Sequence, residues 1–215
     1  IPRTDNGEES DMLSVAVASG THSRESLVGD YAYISMNSNN DDPIYGTYNV
    51  TINDGIYHTG YIVSSNVQED SDGHEEEGSF IFNGSTFTST AQEDQWVANI
   101  SQNGVFIIDM SEGNGGIVGS KIQENVDMDG EYLIITDDGG TGTVSISGPV
   151  ASYVDGDSGD VQVFTITELF PGIFQGDVIG GPRVTFTILP SKAFFGNYLN
   201  LSGEEDSGNF IGMKK

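Results

Sequence analysis

Carboxylates dominate the side chains that could do chemistry in this sequence. It holds 33 Asp and Glu against 7 Lys and Arg, which leaves a net charge of -26 over 215 residues. Calcium prefers hard oxygen ligands from carboxylates and loop carbonyls. Three clusters have loosely suitable spacing: Asp70 and Asp72; Asp127 and Asp129; and Asp155, Asp157 and Asp160. We predict metal ligation by the last two, with calcium as the candidate ion. The alternative is solvated turns in which Asp accepts hydrogen bonds from the backbone.

Tyrosines form the second candidate site. Six of the nine tyrosines fall between positions 31 and 61, beside Asn, Asp and Ser. Exposed tyrosine rings in such company could stack on a sugar or another ligand, or they could be ordinary amphipathic strand residues. The predicted ligand-binding residues are Tyr31, Tyr33, Tyr48 and Tyr57.

The sequence predicts no catalytic residue. It has no cysteine, no Gly-x-Ser-x-Gly motif and no pair of histidines at metal-binding spacing. A carboxylate pair for glycoside hydrolysis stays open, because an acid that faces a barrel lumen could have a shifted pKa. The candidates for that pair are Asp109, Glu131, Glu168 and Asp177.

The charge pattern limits the partners. The 96 residues from 25 to 120 contain 15 acids and no Lys or Arg. Nucleic-acid binding needs clustered cations, so we exclude it. Apolar runs do not exceed four residues, which excludes a transmembrane helix. Repulsion between these acids favours a salty or calcium-containing setting outside the cell; the alternative is that the charge only keeps a secreted protein in solution.

Period-two patterns predict an all-β fold. Polar and apolar residues alternate in Thr47–Ile52, Gln162–Thr167 and Val184–Ile188. Asn-Gly and Asp-Gly turns separate the runs, and these dipeptides favour tight hairpins. We therefore predict an antiparallel up-and-down barrel or a sandwich. In general shape only, the Gly-x-Tyr strand starts and repeated hairpins resemble up-and-down barrels such as lipocalins.

Three short matches indicate an internal duplication. Gly29-Asp30-Tyr31 recurs at position 130, Gly46–Val50 at 142, and the segment from Gly115 to Lys121 at 208. Matches in the same order are typical of a repeat. We predict a flexible leader or tether at 1–24, a first β repeat at 25–122 and a second at 123–215, with tandem small barrels favoured over one shared sandwich.

Three functions are consistent with these patterns. We predict an exported, non-enzymatic protein that binds a ligand, a glycan or another surface protein, with calcium assistance and a lipid-anchored leader as options. The alternatives are a carboxylate-based hydrolase that acts on a glycan in a barrel mouth, and a structural or adhesive surface module without a pocket. A cavity lined by tyrosine and an inward-facing acid would favour ligand binding or catalysis over the structural module.

Overall fold

The protein consists almost entirely of antiparallel strands. This computed structural model describes residues 3–5, 8–10, 20–23, 25–36, 44–50, 56–64, 76–89, 97–109, 116–179, 181–200 and 207–215. The first ten strands are β1 (Arg3–Asp5), β2 (Glu8–Ser10), β3 (Gly29–Met36), β4 (Ile44–Val50), β5 (Ile56–Ser64), β6 (Glu76–Phe82), β7 (Thr86–Ser89), β8 (Val97–Ile100), β9 (Val105–Asp109) and β10 (Gly116–Lys121). The other eight are β11 (Gly130–Thr136), β12 (Thr141–Ser147), β13 (Val150–Asp155), β14 (Val161–Phe170), β15 (Ile173–Val178), β16 (Pro182–Ile188), β17 (Phe194–Asn200) and β18 (Ser207–Lys214).

Helical structure is limited, within these ranges, to a 3-10 turn at Glu25–Leu27. In the same ranges, no helix has the length and apolar character needed to cross a membrane.

Two closed barrels of eight strands each make up the fold. Strands β3 to β10 pair in sequence order, and β10 closes the first ring on β3. Strands β11 to β18 do the same, and β18 closes the second ring on β11. Closure removes the unpaired edges that an open sheet would expose. The all-β prediction is confirmed, and of the two predicted architectures the tandem barrels are observed.

The closing strands repeat the same contacts in both barrels. Gly29 and Gly130 have φ angles of 137° and 142°, a region that favours glycine. A Cβ on either glycine would lie 2.7 Å from Cε of a lysine, Lys121 in the first barrel and Lys214 in the second. Gly29 therefore aligns with Gly130, and Lys121 with Lys214, as in the sequence matches. The duplication itself and its boundaries stay predictions.

The barrels pack against each other through a buried apolar cluster. Ala32 and Ile34 of β3 contact the second barrel, where Ile173 and Phe195 belong to the same cluster. Tyr31 and Tyr33 on the other face of β3 are also buried. Both faces of β3 are therefore covered, because one faces the first lumen and the other faces the second barrel.

Polar groups also cross the junction between the barrels. Ser120 Oγ donates a hydrogen bond to the Ile188 carbonyl at 3.1 Å. Asn197 Nδ2 donates to the Ser35 carbonyl at 3.0 Å, and to Asn209 Oδ1 at 2.6 Å. The bonds to Ile188 and Ser35 cross the junction, whereas the bond to Asn209 lies within the second barrel. They satisfy the Ser120 hydroxyl and the Asn197 amide group at positions where a barrel standing alone would face water, while Asn197 Oδ1 is buried with no hydrogen-bond partner among the described residues.

The predicted leader holds more structure than its composition indicates. Within it, β1 and β2 pair as two antiparallel strands. Closer to the first barrel, Gly20 N donates to the Ile100 carbonyl at 3.1 Å and His22 N donates to the Gly84 carbonyl at 2.7 Å. Residues 20–23 are thus held against the barrel end by backbone hydrogen bonds, for which the polar sequence gave no periodic signal.

Candidate functional site

The lumen of the second barrel contains a cavity of about 460 Å³. Alternate residues on every strand of this barrel point inward, as the β12 burial pattern illustrates: Gly142, Val144 and Ile146 are buried between more exposed Thr and Ser. The apolar side chains on the wall are Ile134, Val144, Ile146, Phe164, Ile166, Val178, Val184, Phe186, Phe194 and Phe210. An apolar, concave space of this size is typical of small-molecule sites.

Packed aromatic rings shape the inner part of the lumen. The Phe194 ring lies 5.3 Å from the Phe186 ring and 6.0 Å from the Phe210 ring, measured between centroids. Tyr132 lies 4.8 Å from Phe194. Offset and edge-on rings at these separations attract one another, so the wall is held in a defined shape.

The end of the lumen next to Tyr132 is closed. Val126 and Met128, which precede β11, pack against the interior cluster. The Tyr132 hydroxyl donates to the Met128 carbonyl at 2.7 Å, and Lys214 Nζ donates to the Asp129 carbonyl at 2.6 Å. A ligand therefore has to enter from the opposite end.

Polar side chains line that opposite end, which we call the mouth. We define the mouth as Thr136 and Asp138 of the β11–β12 hairpin, Tyr153 and Asp155 of β13, Gln162 of β14 and Tyr198 of β17. They meet because their side chains point into the barrel and because their strands or turns reach the same end of it. The cavity thus has an apolar interior and a polar opening.

Hydrogen bonds hold both carboxylates of the mouth in place. Asp155 Oδ1 accepts from the backbone N–H groups of Asp157 at 3.0 Å and Ser158 at 2.7 Å, and from Ser158 Oγ. Asp138 Oδ1 accepts from the Gly140 N–H at 3.0 Å and from the Thr136 hydroxyl. Each carboxylate therefore uses Oδ1 to stabilise its own turn.

The second oxygen of Asp155 contacts a tyrosine. The Tyr153 hydroxyl donates to Asp155 Oδ2 at 3.3 Å. Burial raises the pKa of Tyr153 to about 12, and the charge and hydrogen bond of Asp155 add to the effect, as do the charges of Asp138 and Asp157. Hydrogen bonds from Ser158 keep the pKa of the Asp155 carboxyl below its usual range. At neutral pH the mouth therefore presents a neutral phenol beside a carboxylate.

The tyrosines predicted as ligand-binding residues lie in the first barrel. Tyr31 and Tyr33 are 4% and 1% exposed, inside its lumen. The Tyr31 hydroxyl donates to the Leu27 carbonyl at 2.8 Å, and burial raises the pKa of Tyr31 to about 12. Tyr48 pairs with Tyr31 across β3 and β4, and Tyr57 pairs with Val50 across β4 and β5. The side chains of Tyr48 and Tyr57 lie outside the described residues, and the binding role of all four stays a prediction.

Among the aspartates predicted as metal ligands, the carboxylates of Asp127, Asp129 and Asp155 accept hydrogen bonds from backbone N–H groups of surface turns. Asp127 Oδ1 accepts from the Asp129 N–H at 3.1 Å, and Asp129 Oδ1 accepts from the Gly148 N–H at 2.7 Å. In the Asp155 turn, the Asp160 N–H donates to Ser158 Oγ at 3.1 Å. Within the described ranges, no three acidic or histidine side chains are gathered as a metal would require. The calcium sites stay predictions.

The carboxylates of the hydrolase alternative do not line the cavity where the structure describes them. Glu131 is exposed. Glu168 Oε1 accepts from the Gly172 N–H at 3.0 Å, and Asp177 forms an ion pair of 2.8 Å with Arg183. The side chain of Asp109 lies outside the described residues.

Sequence reasoning missed most of the mouth. Asp138, Tyr153, Gln162 and Tyr198 were not candidates, and Asp155 was a candidate only as a metal ligand. The alternation of inward and outward side chains along each strand is the signal that could have found them. Once Ile134 is placed inward, Thr136 follows on the same face of β11 and Asp138 follows in the turn, and the same counting from Phe164 reaches Gln162.

Comparisons with known proteins give no functional relative. No protein-family model and no curated protein sequence matches the chain. The structure of kievitone hydratase from Nectria haematococca aligns over 96% of this chain and 98% of its own, with 7% identity and a TM-score of 0.26. The DNA polymerase accessory subunit PF-8 of Kaposi's sarcoma-associated herpesvirus aligns over 89% of this chain and 92% of its own, with 8% identity and a TM-score of 0.19. Similarity this low carries no argument about function.

Proposed function

We propose that the protein is a non-enzymatic binding protein that takes a small, largely apolar molecule into the lumen of the second barrel. The observation that carries this proposal is the cavity of about 460 Å³, apolar inside and polar at its mouth. Removing a ligand's apolar surface from water supplies the driving force, roughly 25 cal/mol for each Å² buried. A structural module has no need for such a space, because a filled interior is more stable.

The two lumens differ at aligned positions. Because Gly29 aligns with Gly130, Tyr33 of the first barrel corresponds to Ile134 of the second. Tyr33 is 1% exposed inside its barrel, whereas Ile134 lines the cavity. A smaller side chain at this level of the barrel leaves room for a guest. The comparison supports binding in the second barrel.

A neutral fluorescent dye tests the proposal. N-phenyl-1-naphthylamine brightens when it leaves water, and we expect saturable binding with one dye per chain in the micromolar range. Val144→Phe places a ring in the cavity and should weaken dye binding at least about tenfold, since the ring occupies space that the dye needs and so reduces the apolar dye surface that can be buried. Val163→Phe is the matched control, because Val163 is 56% exposed on the outside of the same barrel.

Each outcome of the dye experiment decides the question. Saturable binding that Val144→Phe weakens at least about tenfold and Val163→Phe retains supports the proposal, provided that both variants melt cooperatively. If the unaltered protein shows no saturable dye binding, the proposal is wrong, and this result does not depend on how either variant folds. Equal binding by both variants would place the dye outside the lumen and would also contradict the proposal.

Export and calcium assistance are further parts of the proposal. Both rest on the sequence: the net charge of -26, the stretch without cations from 25 to 120 and the absence of cysteine. Cell fractionation in the native host tests export. Calcium assistance requires that millimolar calcium tighten dye binding more than sodium chloride of equal ionic strength, and equal affinities would exclude it.

A further inference from the structure

We infer that the ligand of the second barrel carries a cationic, amine-type head group that rests in the mouth while its apolar body fills the lumen. This inference depends on the proposed function, because it specifies the chemical class of the guest in the same cavity.

The charge of the cavity lining is entirely negative. Among the described residues that line it, the charged ones are Asp138 and Asp155, and Lys, Arg and His do not occur. A carboxylate or phosphate head would meet two like charges and no cation in the mouth. A protonated amine would meet two opposite charges, which stabilise it at close range.

Each carboxylate keeps an oxygen available for a head group. Asp138 Oδ1 is used by its own hairpin, and within the described part of the chain Oδ2 accepts no hydrogen bond. Asp155 Oδ2 accepts only the long hydrogen bond from Tyr153, at 3.3 Å, in the same part of the chain. An ammonium group donates three hydrogen bonds and could engage both of these oxygens.

The two carboxylates act on the same small region. Both aspartates line the cavity at its mouth, and β12, which follows the Asp138 turn, pairs directly with β13, which ends at Asp155. The Tyr153 hydroxyl donates to Asp155 Oδ2 at 3.3 Å, and the charges of both aspartates add to the raised pKa of Tyr153. Tyrosine rings add attraction for a cation through their faces. Tyr198 lies on β17, four strands from the β13 strand of Tyr153 in a ring of eight, so the two rings flank the mouth from opposite sides.

Three ligands with one tail and different heads test this inference. Each of decylamine, decanol and decanoate is titrated into the complex of the protein with N-phenyl-1-naphthylamine at pH 7.5 and low salt, and its affinity is read from the displacement of the dye. We expect decylamine to bind about tenfold more tightly than decanoate. The two mouth carboxylates attract the ammonium group and repel the carboxylate group, and each such interaction between partly exposed charges is weak. Decanol should lie between them.

Two variants locate the preference. Asp138→Asn keeps an acceptor oxygen for Gly140 and removes the charge, and it should lower the affinity ratio of decylamine to decanoate about threefold. Glu131→Gln is the matched control, because it removes one exposed charge from the far end of β11, the strand that leads into the Asp138 turn. It should leave the ratio unchanged even though it changes the net charge equally.

The outcomes separate this inference from the proposed function. If decanol displaces the dye and the unaltered protein binds decylamine and decanoate equally, the amine inference is overturned and lumen binding stands. If both variants lower the ratio equally, the preference comes from overall charge, and the inference is again overturned. If neither the dye nor decanol binds, both ideas fail.

Discussion

Alkaline unfolding offers a sharp test of the packing in the first barrel, through the substitution Tyr31→Phe. The Tyr31 hydroxyl is buried and donates to the Leu27 carbonyl at 2.8 Å. Phenylalanine keeps the ring, which meets Phe106 edge-on at a centroid distance of 5.8 Å. The substitution therefore removes one hydrogen bond and one titratable group with little change in volume.

The sign of the pH effect follows from the pKa. Burial raises the pKa of Tyr31 from 10.0 to about 12 in the folded protein. The folded state favours the neutral phenol, so this contribution to stability is complete below pH 10 and is lost as the pH rises toward 12. By about pH 11.5 the loss amounts to about 2 kcal/mol, at about 1.4 kcal/mol for each pKa unit.

The two proteins should therefore exchange their order of stability. Near pH 8, Tyr31→Phe should be less stable by about 1 kcal/mol, because a buried carbonyl loses its donor. Near pH 11.5 it should be more stable by a similar amount, because it has no phenol to ionise. The other tyrosines and the large net charge affect both proteins equally, so they cancel in the difference.

Urea unfolding followed by far-ultraviolet circular dichroism measures this difference at a series of pH values. A stability difference that stays constant from about pH 8 to about 11.5 would refute the reasoning, since it would mean that the Tyr31 hydroxyl titrates alike in the folded and unfolded chains. Absorbance near 295 nm then reports directly how many tyrosines ionise late.

Three more expectations concern packing, a buried polar side chain of the second barrel and ions. Gly212→Ala should lower the free energy of unfolding by about 1–3 kcal/mol, because a Cβ there would overlap the Phe194 ring; adding Phe194→Leu should recover part of that loss in a double-mutant cycle by urea unfolding. Asn209→Ala should cost about 1–3 kcal/mol by the same assay, because it breaks the side-chain bond to Asp137 at 2.9 Å and the bond from Asn197; a cost below the error of measurement would contradict this. Sodium chloride should raise the melting temperature of this highly acidic chain by screening, and a further rise with calcium at equal ionic strength would support the predicted calcium sites.

Much of the fold could be predicted because alternation is a local signal. Runs such as Val184–Ile188 show which side chains share a face, and they lie within observed strands such as β16. Turn chemistry was equally informative: Gly104 and Gly139, which follow Asn and Asp in predicted turns, have φ angles of 79° and 87°. Neither signal needs knowledge of the rest of the molecule.

The junction between the barrels could not be predicted in this way. In Tyr31-Ala32-Tyr33-Ile34 the apolar residues run without a break, and a continuous run does not say what covers each face. Only the assembled fold shows that the odd residues fill the first lumen and that the even residues meet Ile173 and Phe195. Asn197 illustrates the same limit, because its partner Ser35 is 162 positions away in the sequence.

The cavity depends on a difference in volume that a pattern of polar and apolar residues does not record. Tyr33 and Ile134 are both inward-facing apolar positions, so they are equivalent in any alternation argument. In a close-packed interior, a change in side-chain volume of even one methylene group affects the packing. A change in volume at an aligned inward position, such as Tyr33 against Ile134, therefore leaves the alternation unchanged, and under the proposed function these inward positions and the mouth above them would determine which guest fits.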